Sequence, residues 1–148
     1  MTARRFRVVP IRSQVDARGS LVVAQEDDPV PFKIRRMFAI TGVPADLSRG
    51  AHAHREQEQF LIMLSGSCSI TVDDGATSER IDMTSSTMAL YAPPLHWLDL
   101  EHFSADAVCC VLASGLYDAQ EYIRDHAEFL RLVNSRNTDT ESSASERA

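Results

Sequence analysis

Cysteine is scarce in this sequence and long apolar runs are missing, and each shortage excludes a class of protein. The three cysteines, Cys68, Cys109 and Cys110, include an adjacent pair, which fits neither a disulfide framework nor a zinc-binding spacing. No apolar segment approaches the roughly 18 to 20 residues needed to span a bilayer, and the N-terminal residues lack the apolar core of a secretory signal. We therefore expect a protein without a membrane partner that resides in the reducing cytoplasm.

Positive charge is also in short supply. The 15 Lys and Arg residues are outnumbered by 21 Asp and Glu residues, and the net charge is −6. Because binding to nucleic-acid phosphates requires clustered Lys and Arg, we expect no nucleic-acid partner. The 148 residues, of which 44% are hydrophobic and 24% charged, correspond to one globular domain.

Short apolar segments separated by turn residues make up most of the chain. Strands are predicted at Phe6–Ile11, Leu21–Gln25, Phe32–Thr41, Gln59–Leu64, Ser67–Val72, Arg80–Met83, Thr87–Tyr91, His96–Leu100 and Val108–Ala113. Many short strands at intervals of roughly 8 to 12 residues are typical of an antiparallel sandwich or barrel. The predicted fold is all-β, a jelly roll whose two sheets enclose a cavity.

A helical pattern occurs only near the C-terminal end. Asp118 and Glu121 have the spacing of a capping box, and apolar residues then recur at helical intervals as far as Val133. We expect residues 1–133 to form a single domain that ends in a short helix. Residues 134–148 are polar and rich in Ser and Glu, which predicts a disordered tail.

The most site-like stretch is Arg49-Gly50-Ala51-His52-Ala53-His54, followed by Gln59. Side chains alternate along a strand, so His52 and His54 are expected on one face. By the same argument His96 is expected to face the cavity that His52 and His54 face.

Arg36 falls on the predicted strand face that also carries Phe32, Ile34 and Phe38. A charged side chain is rarely buried without a partner. Two interpretations stay open, a position at the rim of the sheet and a contact with an anion inside a pocket.

Two histidines at this spacing can either bind a metal ion or transfer protons. The pattern resembles the two cupin motifs, in which metal-binding members supply two histidines, a glutamate and a third histidine. Here Gln59 stands in the place of the glutamate and Leu98 in that of the third histidine. Divalent metals prefer charged or imidazole ligands, so the set favours proton transfer by neutral histidine. A bound metal and two purely structural histidines are the remaining alternatives.

Several motifs, in order, resemble the FdtA-type (WxcM-like) cupins over about residues 5 to 131. They are Asp16-Ala17-Arg18-Gly19, Pro44-Ala45-Asp46, the Arg49–His54 run with Gln59, Asp73-Asp74-Gly75, Trp97 after Pro93-Pro94, Val111–Ser114, Tyr117-Asp118 and Tyr122–Asp125. The resemblance implies a cupin-type (double-stranded jelly-roll) sugar 3,4-ketoisomerase that acts on dTDP-4-keto-6-deoxy-D-glucose. It also implies a homodimer that works without metal or other cofactor.

The resemblance further implies roles for individual residues. His54 would be the base that removes the C3 proton and forms an enediolate, and His52 would assist as acid or hydrogen-bond partner. Arg49 and Arg36 would hold negative charge, Gln59 would position a sugar hydroxyl, and Arg18 is also expected to bind substrate. His96 is a candidate proton shuttle.

The sequence departs from the family pattern at the strand after Arg35-Arg36, where Met37, Phe38, Ala39 and Thr41 replace the usual tyrosines. A proton relay through tyrosine would then pass to His96 or Tyr91. The stereochemistry at C4 is left open. A non-catalytic sugar-nucleotide-binding cupin and a metal-dependent cupin enzyme are the competing hypotheses.

Overall fold

The structure is a computed structural model that describes residues 5–145. Its strands, in chain order, are β1 (Arg7–Pro10), β2 (Arg12–Asp16), β3 (Gly19–Val23), β4 (Gln25–Glu26), β5 (Pro29–Val30), β6 (Arg36–Thr41), β7 (Arg49–His54), β8 (Gln59–Ser65), β9 (Cys68–Asp73), β10 (Ser78–Met83), β11 (Met88–Ala92), β12 (Trp97–Glu101), β13 (Val108–Ala113) and β14 (Tyr122–Ile123). A 3-10 turn spans Ala119–Glu121, and helix α1 spans His126–Ser145.

Two five-stranded antiparallel sheets form the body of the molecule. The first has the order β1-β11-β8-β13-β6 and the second has the order β10-β9-β12-β7-β14. The main core lies between them, where Leu61 and Val111 of the first sheet pack with Ile70 and Leu98 of the second. The predicted all-β, two-sheet jelly roll is confirmed.

Strand β6 begins later than predicted, and as a result the side chains of Phe32 and Ile34 lie elsewhere than expected. Within β6, Arg36, Phe38 and Ile40 are half-buried while the residues between them are exposed, as the alternation predicts. Phe32 and Ile34 instead pack in a second cluster on the outer face of the first sheet, with Phe60 and Tyr91. Grouping Phe32 and Ile34 on one face with Arg36 was therefore wrong, because the regular strand begins only at Arg36.

The sequence predicts one strand where the structure has the hairpin β2–β3. Its turn is Ala17-Arg18, between Asp16 and Gly19, and every residue of β2 is exposed. Strand β2 carries no apolar alternation, which is why periodicity misses it.

The predicted C-terminal helix is present, but its predicted start after Asp118 is wrong. Asp118 does act as an N-cap, because its side chain accepts from the Gln120 backbone N–H at 2.9 Å, but it caps only the 3-10 turn. The chain then pairs with β7 as β14, and α1 begins at His126. The Glu121 carboxylate does not close a capping box; it accepts from the backbone N–H groups of Glu56 and Gln57.

Helix α1 also extends beyond the end predicted for it. Phe129 and Val133 pack with Ile123 and Trp97, whereas the residues from 134 to 143 are exposed although they are helical. The expected disordered tail thus differs from the structure as far as residue 145, and its last three residues lie outside the described range. Within residues 5–145, no helix has the length and apolar character that crossing a membrane requires.

Candidate active site

A β-bulge in β7 determines which sheet face the side chains of Arg49 and His52 lie on. Gly50 (φ 93°) and Ala51 (φ 57°) take positive φ, and His52 pairs with Leu98 while Gly50 pairs with the very next residue of β12. Ala51 is therefore an extra residue, and the bulge returns Arg49 to the sheet face of His52 although the two are three positions apart. A Cβ on Gly50 would lie 2.6 Å from the Leu98 carbonyl oxygen, so the close approach requires glycine.

The two histidines stand together against an aromatic ring. The ring centroids of His52 and His54 are 5.2 Å apart, and the Tyr122 ring on β14 lies 4.9 Å from the first and 4.6 Å from the second. The Nδ1–H of half-buried His52 donates to the Gly50 carbonyl at 3.1 Å, which leaves Nε2 as the acceptor of the neutral ring. Both histidines share one face, as predicted.

Each ring nitrogen of His54 faces a different group. The side chain is only 5% exposed, and the amide nitrogen of Gln59, from the opposite sheet, lies 3.0 Å from Nε2. Because an amide nitrogen only donates, Nε2 carries the lone pair and Nδ1 carries the proton. Nδ1 makes no hydrogen bond within the described part of the chain, and Glu121 Oε2 is 3.9 Å from it.

Burial keeps both histidines neutral. For His54, burial and the nearby His52, Arg36 and Arg124 lower the pKa from 6.5 to about 3. The pKa of His54 is low even though the Glu121 carboxylate, which favours the charged ring, lies 3.9 Å from Nδ1. Burial also lowers the pKa of His52, only partly opposed by its hydrogen bond to Gly50. At neutral pH His54 is thus an uncharged base in a cationic setting.

Arg36 is the first residue of the edge strand β6, where it is half-buried. Its Nη2 donates to the Gln57 side-chain oxygen at 3.3 Å, and its guanidinium lies over the rings of Phe38 (5.4 Å) and Tyr117 (5.8 Å). Its Nε–H is buried and has no hydrogen-bond partner among residues 5–145. A buried donor without a partner favours the second interpretation, a contact with an anion.

The donor set does not fit a divalent metal. Near His52 and His54 it offers the Gln59 amide and the Glu121 carboxylate, which face opposite ring nitrogens of His54, and the position opposite His52 holds the buried Leu98. Within residues 5–145, no three His, Cys, Asp or Glu side chains converge as a metal site requires.

Among the described residues, no hydrogen bond or ring contact joins the remaining predicted site residues to the histidine pair. Arg49 is exposed at the start of β7, on the sheet face of His52. Arg18 is exposed at the tip of the β2–β3 hairpin, where its guanidinium donates to Asp16 at 2.6 Å. His96 packs edge-on against Phe6 and donates Nδ1–H to the Pro94 carbonyl at 3.0 Å. No contact among the described residues joins Arg18 or His96 to His54, so their assigned roles stay predictions.

Sequence reasoning missed three residues next to the histidines. Tyr122 packs on both rings, Arg124 lies 4.7 Å above the Tyr122 ring, and Glu121 faces His54. The strand β14 brings them there by pairing Tyr122 with His54, a contact between distant parts of the chain with no local signal. Tyr91, named above as a possible relay, instead donates its hydroxyl to Glu58.

A surface depression of about 540 Å³ adjoins the site. Its lining consists of Arg55, Glu56, Asp118, Gln120, Glu121 and Tyr122. Because Glu121 and Tyr122 also approach His54, they stand between this depression and the histidine pair.

Comparison with known proteins gives a consistent result. The profile of the FdtA family, described as WxcM-like, C-terminal, matches residues 4–134. The TDP-4-oxo-6-deoxy-alpha-D-glucose-3,4-oxoisomerase of Aneurinibacillus thermoaerophilus is 37% identical over 135 residues, which cover 91% of this chain and 97% of that protein.

Solved structures agree. A 3,4-ketoisomerase from Helicobacter canadensis is 40% identical with a TM-score of 0.84, over 87% of this chain and 97% of that one. A histidine-to-asparagine mutant of a 3,4-ketoisomerase from Thermoanaerobacterium thermosaccharolyticum, in complex with TDP-4-keto-6-deoxyglucose, is 30% identical with a TM-score of 0.86, over 88% of this chain and 95% of that one.

Proposed function

The chain belongs to the FdtA family, and we propose that it is a nucleotide-sugar 3,4-ketoisomerase. Its substrate is dTDP-4-keto-6-deoxy-D-glucose and its product a dTDP-3-keto-6-deoxyhexose, an intermediate for deoxyamino-sugar biosynthesis. The relatives named above, which match nearly the whole chain, support the reaction and the substrate class.

The observation that carries the proposal is the buried, neutral His54. Its Nε2 lone pair faces the amide of Gln59 at 3.0 Å, and its low pKa keeps it unprotonated at neutral pH. A buried neutral imidazole is suited to remove a proton from carbon, because the C4 ketone acidifies the neighbouring C3–H. When the substrate enters, the Gln59 amide leaves Nε2 and donates to a sugar hydroxyl, and Nε2 is then open to the C3–H.

The reaction then balances without another reactant. His54 Nε2 takes the C3 proton, the C–H electron pair forms a C3=C4 double bond, and the C4 oxygen gains the negative charge of an enediolate. Protonated His54, which exchanges its proton with solvent, then delivers a proton to C4, and the O3 hydroxyl proton moves to O4, which leaves a ketone at C3. His52 Nε2, free to accept because Nδ1–H is engaged by Gly50, is placed to pass on the hydroxyl proton.

The cations of the site suit an anionic substrate. Arg36 offers a buried Nε–H without a partner in the described chain, and Arg49 lies on the same sheet face as the histidines. Guanidinium groups stabilise an enediolate or a diphosphate by charge-assisted hydrogen bonds. We assign Arg36 and Arg49 to these negative charges, and no step calls on a metal or other cofactor.

NMR of the nucleotide sugar tests the proposal. With the purified protein, the ketone carbon signal of dTDP-4-keto-6-deoxyglucose is expected to move from C4 to C3. Tight binding with no conversion would overturn it in favour of a sugar-nucleotide-binding protein. Activity that is lost to a chelator and restored by a single divalent metal would favour a metal-dependent enzyme.

We also propose a cytoplasmic homodimer. Hairpin β2–β3 is a separate two-stranded sheet, a structure that is marginally stable in isolation. Its register places Val15 and Leu21, which are 76% and 54% exposed, on opposite faces. A second copy of the chain would cover both. The three free cysteines are consistent with a reducing compartment.

A further inference from the structure

We propose that Glu121 is a positioning residue for His54. Its carboxylate holds the proton of the resting ring on Nδ1 and stabilises the imidazolium that forms when Nε2 takes a proton. The inference deepens the proposed function, and it rests on that function only for the role of His54 as the base.

The Glu121 carboxylate is fixed by the segment that follows His54. Its side chain is 14% exposed, and Oε2 accepts from the backbone N–H groups of Glu56 at 3.1 Å and Gln57 at 3.0 Å. The Glu121 backbone carbonyl accepts from the Arg55 N–H at 3.1 Å. Three consecutive residues of the chain, from Arg55 to Gln57, therefore donate a hydrogen bond to one glutamate.

The same oxygen faces the unused nitrogen of His54. Oε2 lies 3.9 Å from Nδ1, roughly 1 Å more than a hydrogen bond, and Nδ1 is buried with no other partner in the described residues. A buried N–H without an acceptor is costly, so a small closing movement towards Oε2 is favourable. The ring therefore lies between the Gln59 amide, which donates to the basic Nε2, and the Glu121 carboxylate, which faces the protonated Nδ1.

Charge makes the carboxylate necessary once His54 is protonated. The groups that face the ring are His52 on the same strand, Arg36 on β6, Tyr122 and Glu121 on the C-terminal segment, and Arg124 after it. Arg36 and Arg124 both oppose a positive charge on the ring. Glu121 supplies the opposite charge, in the position from which a carboxylate orients the base in catalytic triads.

The resting protein provides the first test, independent of any activity. Two-bond proton–nitrogen NMR spectra report which ring nitrogen carries the proton, and His54→Asn identifies the His54 signals. We expect the Nδ1–H form in the wild type and a loss of that preference in Glu121→Gln. An Nε2–H form in the wild type, or identical spectra in both proteins, would overturn the inference.

Kinetics with the dTDP-4-keto sugar provide the second test. Glu121→Gln is expected to lower kcat by roughly 10- to 100-fold with little change in KM. Because the carboxylate favours protonated His54, its removal should also shift the acid limb of the kcat–pH profile to lower pH. Glu121→Asp, which keeps the charge, should recover part of kcat and the wild-type limb.

Glu128→Gln is the matched control. Glu128 accepts from Arg55 at 2.9 Å, beside the same turn, but belongs to α1. The Glu128→Gln variant should leave kcat and the acid limb of the kcat–pH profile unchanged. Equal effects in Glu121→Gln and Glu128→Gln would mean that Glu121 has only a structural role. If the wild type forms no 3-keto product, the proposed function fails, and the NMR spectra alone still decide the tautomer.

Discussion

His52 and His54 are neighbours on one strand face, yet their hydrogen bonds prepare them for different tasks. His52 is anchored through Nδ1 to its own strand at Gly50, whereas His54 reaches across the sandwich to Gln59. The two-residue spacing in the sequence predicts the shared face, since alternation along a strand is local. It does not predict Glu121 or Tyr122, which arrive by a pairing of β14 with β7.

Burial of neutral His54 makes stability depend on pH. Its pKa is about 3 in the folded protein against 6.5 ordinarily, so the unfolded chain takes up the proton first as pH falls. Below pH 6.5 this disfavours the folded state by about 1.4 kcal/mol per pH unit, down to about pH 3. Urea unfolding measures the free energy of unfolding at pH 7 and at pH 5. The decrease between the two pH values should be about 2 kcal/mol smaller in His54→Asn than in the wild type.

His102→Asn, which removes an exposed histidine, is the control and should follow the wild type. An unchanged pH dependence in His54→Asn would contradict the account of a buried, neutral base.

At the scale of elements, the bulge in β7 places Arg49 and His52 on one face. Gly50→Ala combines a positive φ of 93° with a Cβ 2.6 Å from the Leu98 carbonyl oxygen, so strand and bulge must shift. We expect a loss of about 1 to 3 kcal/mol in unfolding free energy, and a lower kcat because the acceptor of His52 moves. Urea denaturation and steady-state kinetics measure the two effects.

Gly42→Ala is the matched control. Gly42 also has positive φ (66°), but a Cβ there meets no atom within 4 Å. Gly42→Ala should lower the free energy of unfolding only because alanine disfavours a positive φ, and it should leave kcat unchanged. Equal loss of kcat in both variants would contradict the bulge as the device that positions the site.

The C-terminal helix shows where pattern reasoning reached its limit. Polar composition predicts disorder from residue 134, yet the helix continues, and its side chains from residue 134 to residue 143 are exposed. A chain ending at Val133 should therefore keep its melting temperature within about 2 °C and its full activity.

A chain ending at Glu128 lacks the buried Phe129 and Val133, and its free energy of unfolding should be several kcal/mol lower. A large loss from the shorter deletion would show that the exposed turns contact a partner subunit.

For the whole molecule, the two-sheet architecture followed from strand spacing and turn residues, while strand β2 of the hairpin β2–β3 did not. Its exposed Val15 and Leu21 predict a dimer. Light scattering with size exclusion should give twice the 16.4 kDa chain mass. The double variant Val15→Ser/Leu21→Ser should dissociate more readily, and Leu47→Ser, in an exposed loop, should not. A monomeric wild type would contradict the proposal.

Solvent exchange tests the central claim, that His54 moves a proton between C3 and C4 of a dTDP-linked keto sugar. The sugar nucleotide is incubated with the protein in deuterated water, beside His54→Asn, and deuterium is located by NMR. The account predicts deuterium at the carbon that gains the proton in the wild type, and a rate lowered at least 100-fold in the variant. Exchange at the wild-type rate in His54→Asn, or none in the wild type, would contradict it.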